Sequence, residues 1–574
     1  MNLNLGLQIN KKDILTMVLL SIVFLSIAVV NLGATNVPVN SWQTNQDRTL
    51  QVDLGKPVYV KAVYLLVKNG SANIQISSDT QNSSLISPIK IEYPVYYVWK
   101  NTTLNAETQY VYLSFEQANV EIIEIALTDQ NNQQIPIAAV TGEGFSDANL
   151  AKLTDEQSLI LVPQTYMSET MFDEIYFVRT AEQYLNIQSP YEWTHPPLGK
   201  IIIAIGIAAA GFNPFGWRIM GVIFAMLLIP LMYLLGKKLF GSWIGGFSAA
   251  FLLTFDFMHF TMARMGTTDT YVVFFSVASQ LFFLIYLSGV VKNGWKATSV
   301  VPLFLAFLFF AFGFSTKWLV LYGFIGQIAI LATIRLAEVV KRKGSVSSKV
   351  YDFFDQPYSY IVAFVLMSIG IYFLTYIPDM LAGRSFIDVV GLQGGMYSYH
   401  SSLTATHPFS SAWWSWPIIG RPVWLYVSYL PNLMKSTITL MGNPAVWWVG
   451  FAAIIGITGI FLAKTVPALK KRVTPKLDLP IAFIVVLFFF QWLPYVSITR
   501  ALFIYHFYVS VPFLCLGSAY FINKYWKYNW MKVAAIAYFA VVVALFALFY
   551  PVISGAPTPA STVESLRWFE GWLF

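Results

Sequence analysis

Residues 172–200 read FDEIYFVRTAEQYLNIQSPYEWTHPPLGK, a polar stretch that directly precedes an apolar run. It contains two adjacent carboxylates, Asp173 and Glu174, together with Arg179, His195 and Lys200. Charged groups beside lipid are costly, so they usually pair with one another or serve a function. This stretch is therefore the first candidate for a functional site at a membrane surface.

The first part of the stretch predicts a short amphipathic helix over residues 170–186, because apolar residues recur there at helical spacing. Asp173 and Tyr176 fall on a second face that offers one carboxylate among hydroxyls and aromatic rings. Such a face suits a sugar or a hydroxyl nucleophile. The alternative is a capping box with Thr170 as N-cap and Asp173 three residues on. That alternative explains Asp173 but not the other charged residues of the stretch.

The composition is that of a multi-pass membrane protein. The chain has 574 residues, of which 56% are hydrophobic and 11% charged, whereas soluble domains average about 25% charged residues. Its single cysteine, Cys515, excludes an intramolecular disulfide. The net charge of +7 comes mostly from short loops between apolar runs, which indicates membrane topology rather than nucleic-acid binding.

The apolar runs predict eleven transmembrane helices. The first, Ile14–Leu32, follows Lys11 and Lys12, and we interpret it as a retained helix with a cytoplasmic N-terminus rather than a removed signal peptide. The run Leu198–Ala210 is too short to cross about 30 Å of hydrocarbon, so we expect a half-inserted or interfacial helix. With this count every basic cluster, such as Lys341-Arg342-Lys343 and Lys470-Lys471-Arg472, lies on the cytoplasmic side.

Residues 33–165 differ in kind, with alternating strand-like runs separated by polar turns, and they predict an extracytoplasmic β-sandwich. Residues 52–67 (VDLGKPVYVKAVYLLV) resemble strands of galactose-binding-like sandwiches. Sugar binding and a spacer role both stay open for this domain.

The predicted segments are 1–32 (N-terminal transmembrane helix), 33–165 (β-sandwich), 166–213 (catalytic outer loop with juxtamembrane helices), 214–378 (transmembrane helices), 379–444 (outer loop), 445–551 (transmembrane helices) and 552–574 (outer tail).

The same topology collects polar groups on the outer side, including Arg264, Asp269, Lys317, Arg500 and the loop 379–444. An aromatic belt with arginines on lipid headgroups would explain the tryptophans of that loop but explains the carboxylates poorly. If a lipid-linked substrate entered from the membrane, its phosphate would need cations at headgroup depth. The candidates are Lys200, Arg218, Arg264 and Arg500.

Asp173 is the candidate base for a hydroxyl acceptor. Fixed cations can stabilise a phosphate leaving group, so we expect no metal and no cofactor. The sequence shows no histidine or carboxylate spacing typical of a metal site.

Several segments, in this order along residues 171–516, resemble the protein O-mannosyltransferases, membrane glycosyltransferases of the GT-C type that use a polyprenyl-phosphate sugar. They are FDEIYF (172–177), THPPLGK (194–200), FGWRIMG (215–221), LLGKKLFGSW (234–243), ARMGTTDTYVVFF (263–275), GFSTKW (313–318), HPFSSAWWSWP (407–417), GNPAVWW (442–448) and RALFIYHFYVSVP (500–512).

The resemblance implies an inverting transfer of mannose to Ser or Thr hydroxyls, with Asp173 as general base and Glu174 positioning the acceptor. It also implies that Lys200 and Arg500 contact the donor phosphate with His506 close by, and that Arg218 is important at the start of its span. Supporting residues in this interpretation are Arg179, Tyr176, His195, Asp269 and His407. For two of these a plainer role stays open: His195 as a cap of the turn into the Pro-Pro segment, and Asp269 as a partner of Arg264.

Two departures from the family qualify this interpretation. The central outer loop is short, where eukaryotic members carry a β-trefoil, and a β-sandwich precedes the Asp-Glu pair. No residue identifies mannose, so a related GT-C transferase with another polyprenyl-phosphate sugar, or with a lipid or glycan acceptor, is the alternative. A transporter has less support, since we find no inverted repeat.

The partners expected are a polyprenyl-phosphate sugar, an acceptor polypeptide and membrane lipids, with no nucleic acid. The expected location is a bacterial plasma membrane, with the active site on its outer face.

Overall fold

The computed structural model describes residues 8–78, 88–471 and 478–574, which form a helical membrane region and a β-rich domain. Residues 79–87 of the predicted β-sandwich and Arg472 of the predicted cytoplasmic cluster lie outside these ranges.

The helical region contains long apolar helices joined by shorter ones. The helices are α1 (Lys11–Ala28), α2 (Glu174–Leu185), α3 (Leu198–Ala210), α4 (Pro214–Phe240), α5 (Trp243–Thr254), α6 (Phe257–Ala263), α7 (Asp269–Asn293), α8 (Val301–Phe314), α9 (Val320–Lys341), α10 (Val346–Phe354), α11 (Tyr358–Leu374), α12 (Ile377–Leu381), α13 (Phe386–Ser402), α14 (Pro444–Lys470), α15 (Leu479–Trp492), α16 (Val511–Tyr525), α17 (Asn529–Ser554) and α18 (Ala560–Ser565).

This is a multi-pass membrane fold, although the structure supports fewer spans than the eleven predicted. Seven helical segments of the described residues are long and apolar enough to cross a membrane, and nine are if two bent pairs each count as one. One predicted span is such a pair, since α5 and α6 meet at 59°. Two other predicted spans are not among these nine. Helix α1 is not apolar enough, because it begins with three charged residues, and α8 is too short, with only 14 residues. The count of eleven therefore stays a prediction.

Helix α4 lies at the centre and shows why the local sequence folds as it does. The Asn213 side chain accepts a hydrogen bond from the Gly216 amide at 2.7 Å, and Pro214 occupies the first turn. The helix ends at Gly241 in a left-handed conformation, with Lys237 in its last turn. Along its length α4 contacts α1, α3, α5 and α7. Through α4, helix α1, which precedes the polar stretch 172–200, is therefore packed together with α3, which follows it.

The β-rich domain consists of β1 (Trp42–Thr44), β2 (Arg48–Ser77), β3 (Ile89–Ile91), β4 (Val98–Thr128), β5 (Gln134–Ile135) and β6 (Ala139–Gly142). These strands join in one antiparallel sheet of order β1-β4-β2-β3, with β5 on β4 and β6 on β2. The long strands β2 and β4 bend back, so that Val63 pairs with both Thr102 and Leu127. A common apolar core that includes Leu50, Val63 and Leu113 fills the fold. The register along β2 and β4 is irregular, so the strands are connected in one hydrogen-bonded sheet, and the predicted two-sheet sandwich stays a prediction.

A second sheet joins two segments that the sequence assigned to a loop and a tail. Strands β7 (Val423–Leu430) and β8 (Met434–Leu440) form a hairpin, and β9 (Thr558–Pro559) pairs with β8. Asn432 and Leu433 both have φ of 57° in the turn. The tail is further held by the buried Trp572, whose indole donates to the Ile419 carbonyl at 2.8 Å. The alternating VWLYVSYL pattern was the available signal for this sheet.

The β-rich domain contacts the polar stretch directly. The Thr170 hydroxyl donates to the Tyr96 carbonyl at 2.6 Å, and Glu169 accepts from the Trp99 amide at 2.9 Å. Lys68 pairs with Glu182 on α2 at 2.6 Å. The domain therefore forms one wall beside the start of α2.

Candidate active site

Asp173 lies at the start of α2, and its carboxylate has no bonding partner among the described residues. The helix begins at Glu174, and Asp173 is its N-cap residue without a side-chain capping bond. The predicted capping box is wrong, because Thr170 bonds to the Tyr96 carbonyl instead. Asp173 is half-buried, and its carboxylate makes no hydrogen bond or ion pair within the part of the chain that the structure describes. It is a carboxylate free to accept a proton.

The surroundings of Asp173 keep its proton affinity high. Burial raises the pKa of Asp173 to about 7, Asp269 and Glu192 act in the same direction, and Lys317 acts against them. A carboxylate with this pKa is ionised about half of the time at neutral pH, where it can act as a base.

Glu174 does not face any opening, contrary to the predicted role in positioning an acceptor. Its carboxylate and the Arg218 guanidinium form a two-bond ion pair at 2.8 and 2.7 Å, and both side chains are completely buried. Arg218 directs its remaining donors at the carbonyls of Leu32, Tyr166 and Glu169. All five N–H donors of Arg218 are thus bonded to protein oxygens, and its contact with a donor phosphate stays a prediction. Glu174 and Arg218 instead fasten the start of α2 to α4.

The ammonium group of Lys200 also bonds to protein oxygens. Its ammonium group is buried and donates to the Glu192 carboxylate at 2.8 Å and to the carbonyls of Glu192 and His195 at 2.7 Å. These three oxygens occupy all donors of Lys200, and its contact with a donor phosphate stays a prediction. Glu192, which sequence reasoning missed, is the centre of this cluster.

His195 is held by the same carboxylate rather than simply capping a turn. Its Nδ1 lies 3.0 Å from Glu192 Oε1, and its ring lies 5.1 Å from that of His400. Burial would raise the pKa of Glu192, but Lys200 and His195 hold it well below its usual range. Burial also lowers the pKa of His400 to about 4. The cluster presents an ionised Glu192 and a neutral His400 beside the half-exposed His195.

Arg264 and Asp269 do not pair with each other, as one alternative predicted. Arg264 is buried and donates to the carbonyls of Ala28 and Val30 at 2.7 Å and of Asn31 at 2.8 Å. Its contact with a donor phosphate likewise stays a prediction. Asp269 binds Lys317 at 2.8 and 2.9 Å. The sequence placed Lys317 on the outer side but gave it no role, and it is the cation that acts on Asp173.

Arg500 is the predicted phosphate ligand that stays available. It lines a cavity of about 820 Å³ with residues 401–406, 410–413 and 498–502. Its guanidinium has no hydrogen bond or ion pair to any described residue. His506 lies nearby on the same segment, with Nδ1 3.0 Å from the Phe503 carbonyl oxygen and its ring stacked on Tyr505 at 4.6 Å.

Aromatic contacts link the segment after Arg500 to the residues just before α2. The His407 ring packs against Phe503 at 5.1 Å and against Phe172, the neighbour of Asp173, at 6.4 Å. His407 thus bridges the segment that follows Arg500 and the residue that precedes the candidate base.

Arg179 and Tyr176 belong to an aromatic stack on the other side of α2. The Arg179 guanidinium lies 4.2 Å from the centre of the Tyr191 ring, and the Tyr176 ring stacks on Tyr191 at 6.2 Å. Tyr93 of the β-rich domain completes the group. These residues position α2 against the domain.

The chain matches known proteins over most of its length. Residues 385–572 match the family model "C-terminal four TMM region of protein-O-mannosyltransferase", and residues 194–348 match "Dolichyl-phosphate-mannose-protein mannosyltransferase".

Two bacterial relatives carry the name polyprenol-phosphate-mannose–protein mannosyltransferase. The one from Mycobacterium tuberculosis is 26% identical over 74% of this chain and 88% of its own length. The one from Corynebacterium glutamicum is 25% identical over 66% of this chain and 81% of its own length.

The fold is similar to a chain in the donor-bound Pmt1-Pmt2 protein O-mannosyltransferase complex of S. cerevisiae. The TM-score is 0.58 at 14% identity, over 71% of this chain and 89% of that one.

Proposed function

Since the chain belongs to the protein O-mannosyltransferase family, we propose that it transfers mannose from a polyprenyl-phosphate-mannose donor to a Ser or Thr hydroxyl of an acceptor polypeptide. The names of its bacterial relatives support the donor and the reaction. The observation that carries the mechanism is the unbonded, half-buried carboxylate of Asp173 beside the Asp269–Lys317 pair.

In the proposed reaction Asp173 is the general base. It takes the proton of the acceptor hydroxyl while the hydroxyl oxygen attacks the anomeric carbon of the sugar. The bond between that carbon and the phosphate oxygen breaks, and the polyprenyl phosphate leaves with the electron pair. A single displacement of this kind inverts the configuration, so a β-linked donor yields an α-linked product. A pKa of about 7 suits Asp173 to this role, because a base works best with a pKa near the operating pH.

Arg500 is the proposed contact for the donor phosphate. It is a cation without a protein partner among the described residues, and it lines a cavity large enough for a sugar phosphate. A fixed guanidinium can hold two phosphate oxygens and stabilise the charge that develops on the leaving group. Near the bound phosphate, His506 would add a polar group and Lys317 a positive charge. With protein cations in this position, we assign no metal or cofactor to the transfer step.

The proposed topology places the site on the outer face of a bacterial plasma membrane. Lys237 and Lys238 end α4, and Lys341 ends α9, so the basic helix ends mark the cytoplasmic side. Asp173 precedes the opposite end of α4 in the chain. With eleven spans, the β-rich domain and the candidate site would both be extracytoplasmic, where secreted acceptors and lipid-linked donors meet.

The test is transfer of labelled mannose from synthetic polyprenyl-phosphate-mannose to a Ser/Thr-rich peptide by purified protein in detergent. Asp173→Asn should lose at least about 100-fold of the rate, with an unfolding temperature equal to or above that of the wild type. Asp352→Asn, the same change at a half-exposed carboxylate of α10, is the matched control and should keep full activity. Activity of Asp173→Asn within tenfold of the wild type would refute Asp173 as the base. Preference for another polyprenyl-phosphate sugar in competition would refute mannose as the donor sugar.

A further inference from the structure

Three carboxylates meet on the β-rich domain, away from the candidate active site. They belong to Glu124 of β4 and to Asp155 and Glu156 of the segment that leaves the domain. One oxygen from each lies within 4.8 Å of the others. Like charges this close repel one another unless a cation or a proton joins them.

Glu124 has a surrounding that an isolated carboxylate does not tolerate. Its side chain is completely buried, neither carboxylate oxygen has a hydrogen bond of good geometry, and the backbone N–H of Glu156 is close enough to lower its pKa against the effect of burial. No ion pair in the described ranges includes Glu124, Asp155 or Glu156. Burying a charge without a partner costs several kcal/mol. The same burial raises the pKa of Glu124 to about 8.

The other two carboxylates are held in place by the segment that enters the domain. Glu156 Oε2 accepts hydrogen bonds from the amides of Val39 and Asn40 at 2.7 Å, and Asp155 Oδ2 accepts from the Asn40 side chain at 3.0 Å. Each of the two therefore keeps its second oxygen for another ligand. One oxygen of each group lies within 4.8 Å of the oxygens of Glu124 and of the other group, so a single ion can reach all three.

We propose that Glu124, Asp155 and Glu156 bind a divalent cation of the calcium class. All the donors are oxygens, which hard cations such as Ca²⁺ prefer, and neither histidine nor cysteine contributes. Calcium–oxygen bonds of about 2.3–2.6 Å allow two ligands of one ion to lie up to about 5.2 Å apart, so oxygens within 4.8 Å of one another can share an ion. Asp155 is exposed, so water can complete the coordination.

The cation would act as a structural fastener. It would join the sheet, through Glu124, to the points where the chain enters the domain near Val39 and leaves it at Glu156. The segment after Glu156 leads directly to Thr170 and Asp173. Binding should therefore stabilise the domain and its attachment, and this role does not depend on the proposed transferase reaction.

The probe is terbium, which binds at calcium sites and luminesces when a nearby aromatic ring absorbs light. Tyr97 is a suitable sensitiser, because Glu156 is close enough to act on its phenol. The full-length protein in detergent should show saturable terbium luminescence that Ca²⁺ displaces. It should also show an unfolding temperature that rises with Ca²⁺ and falls with a chelator. Glu124→Gln should weaken terbium binding by about tenfold or more and abolish the Ca²⁺-dependent rise.

Glu107→Gln makes the same change at an exposed position of β4 and should behave as the wild type in both measurements. Terbium binding and Ca²⁺ response unchanged by Glu124→Gln would overturn the proposal, as would the lack of any Ca²⁺ response in the wild type. If Glu124→Gln fails to fold, Asp155→Asn, at an exposed position, is the substitute and must weaken binding in the same way.

Discussion

Replacing Glu174 by glutamine should make the protein easier to unfold, because the buried Arg218 then loses its carboxylate partner. The wild-type guanidinium bonds to both Glu174 oxygens at 2.8 and 2.7 Å, and both side chains are completely buried. The same carboxylate accepts hydrogen bonds from the amides of Met171 and Gly266. A glutamine side chain has the same shape as glutamate, but its NH₂ group would face the N–H donors that now bond to Glu174. It would also leave the positive charge of Arg218 without a negative partner.

The magnitude follows from the burial. Removing one partner of a buried ion pair costs about 3–5 kcal/mol. Unfolding entropy is about 2.1 cal/mol/K per residue, so over 574 residues this cost corresponds to a fall of about 2–4 °C in the unfolding temperature, for a single transition. Arg218→Gln should cost at least as much, since it also leaves three buried carbonyls without a donor.

The assay is thermal unfolding in detergent, followed by intrinsic fluorescence, together with transfer activity per folded molecule. The double variant Glu174→Gln/Arg218→Gln should be little worse than either single variant, because the two residues act as one unit. An unfolding temperature of Glu174→Gln within about 1 °C of the wild type, with transfer lost, would refute this reasoning. Glu174 would then have to act on a substrate, as the sequence predicted.

Three further outcomes are expected. The transfer rate at low substrate should rise with pH and level off above a midpoint near 7, because transfer needs ionised Asp173, whose pKa burial raises to about 7; a midpoint near 4 in the pH profile would contradict this. Asp269→Asn should move that midpoint to lower pH and Lys317→Met to higher pH, since Asp269 raises and Lys317 lowers the pKa of Asp173; no movement in either profile would place both residues away from the base. Arg500→Gln should raise the donor KM about tenfold or more without changing the unfolding temperature. Arg264→Gln should instead lower the unfolding temperature, because it leaves buried carbonyls unbonded. The reverse pattern would make Arg264 the phosphate ligand and Arg500 the structural residue.

Composition and local pattern were enough to identify a multi-pass membrane protein with a separate β-rich region before residue 165. They also located the candidate base, because a carboxylate beside an apolar run is conspicuous in a chain with only 11% charged residues. The resemblance of short segments to a family was confirmed by the family models and the named relatives.

The partner of each charged residue was decided by the tertiary structure alone. Sequence spacing indicated that Lys200, Arg218, Arg264 and Arg500 were equally available, yet only Arg500 has no protein partner among the described residues. The others bind oxygens 5 to 290 positions away in the chain, including those of the overlooked Glu192. A side chain's charge is a property of its sequence position, but whether that charge is neutralised depends on which distant oxygens the helices bring within about 3 Å.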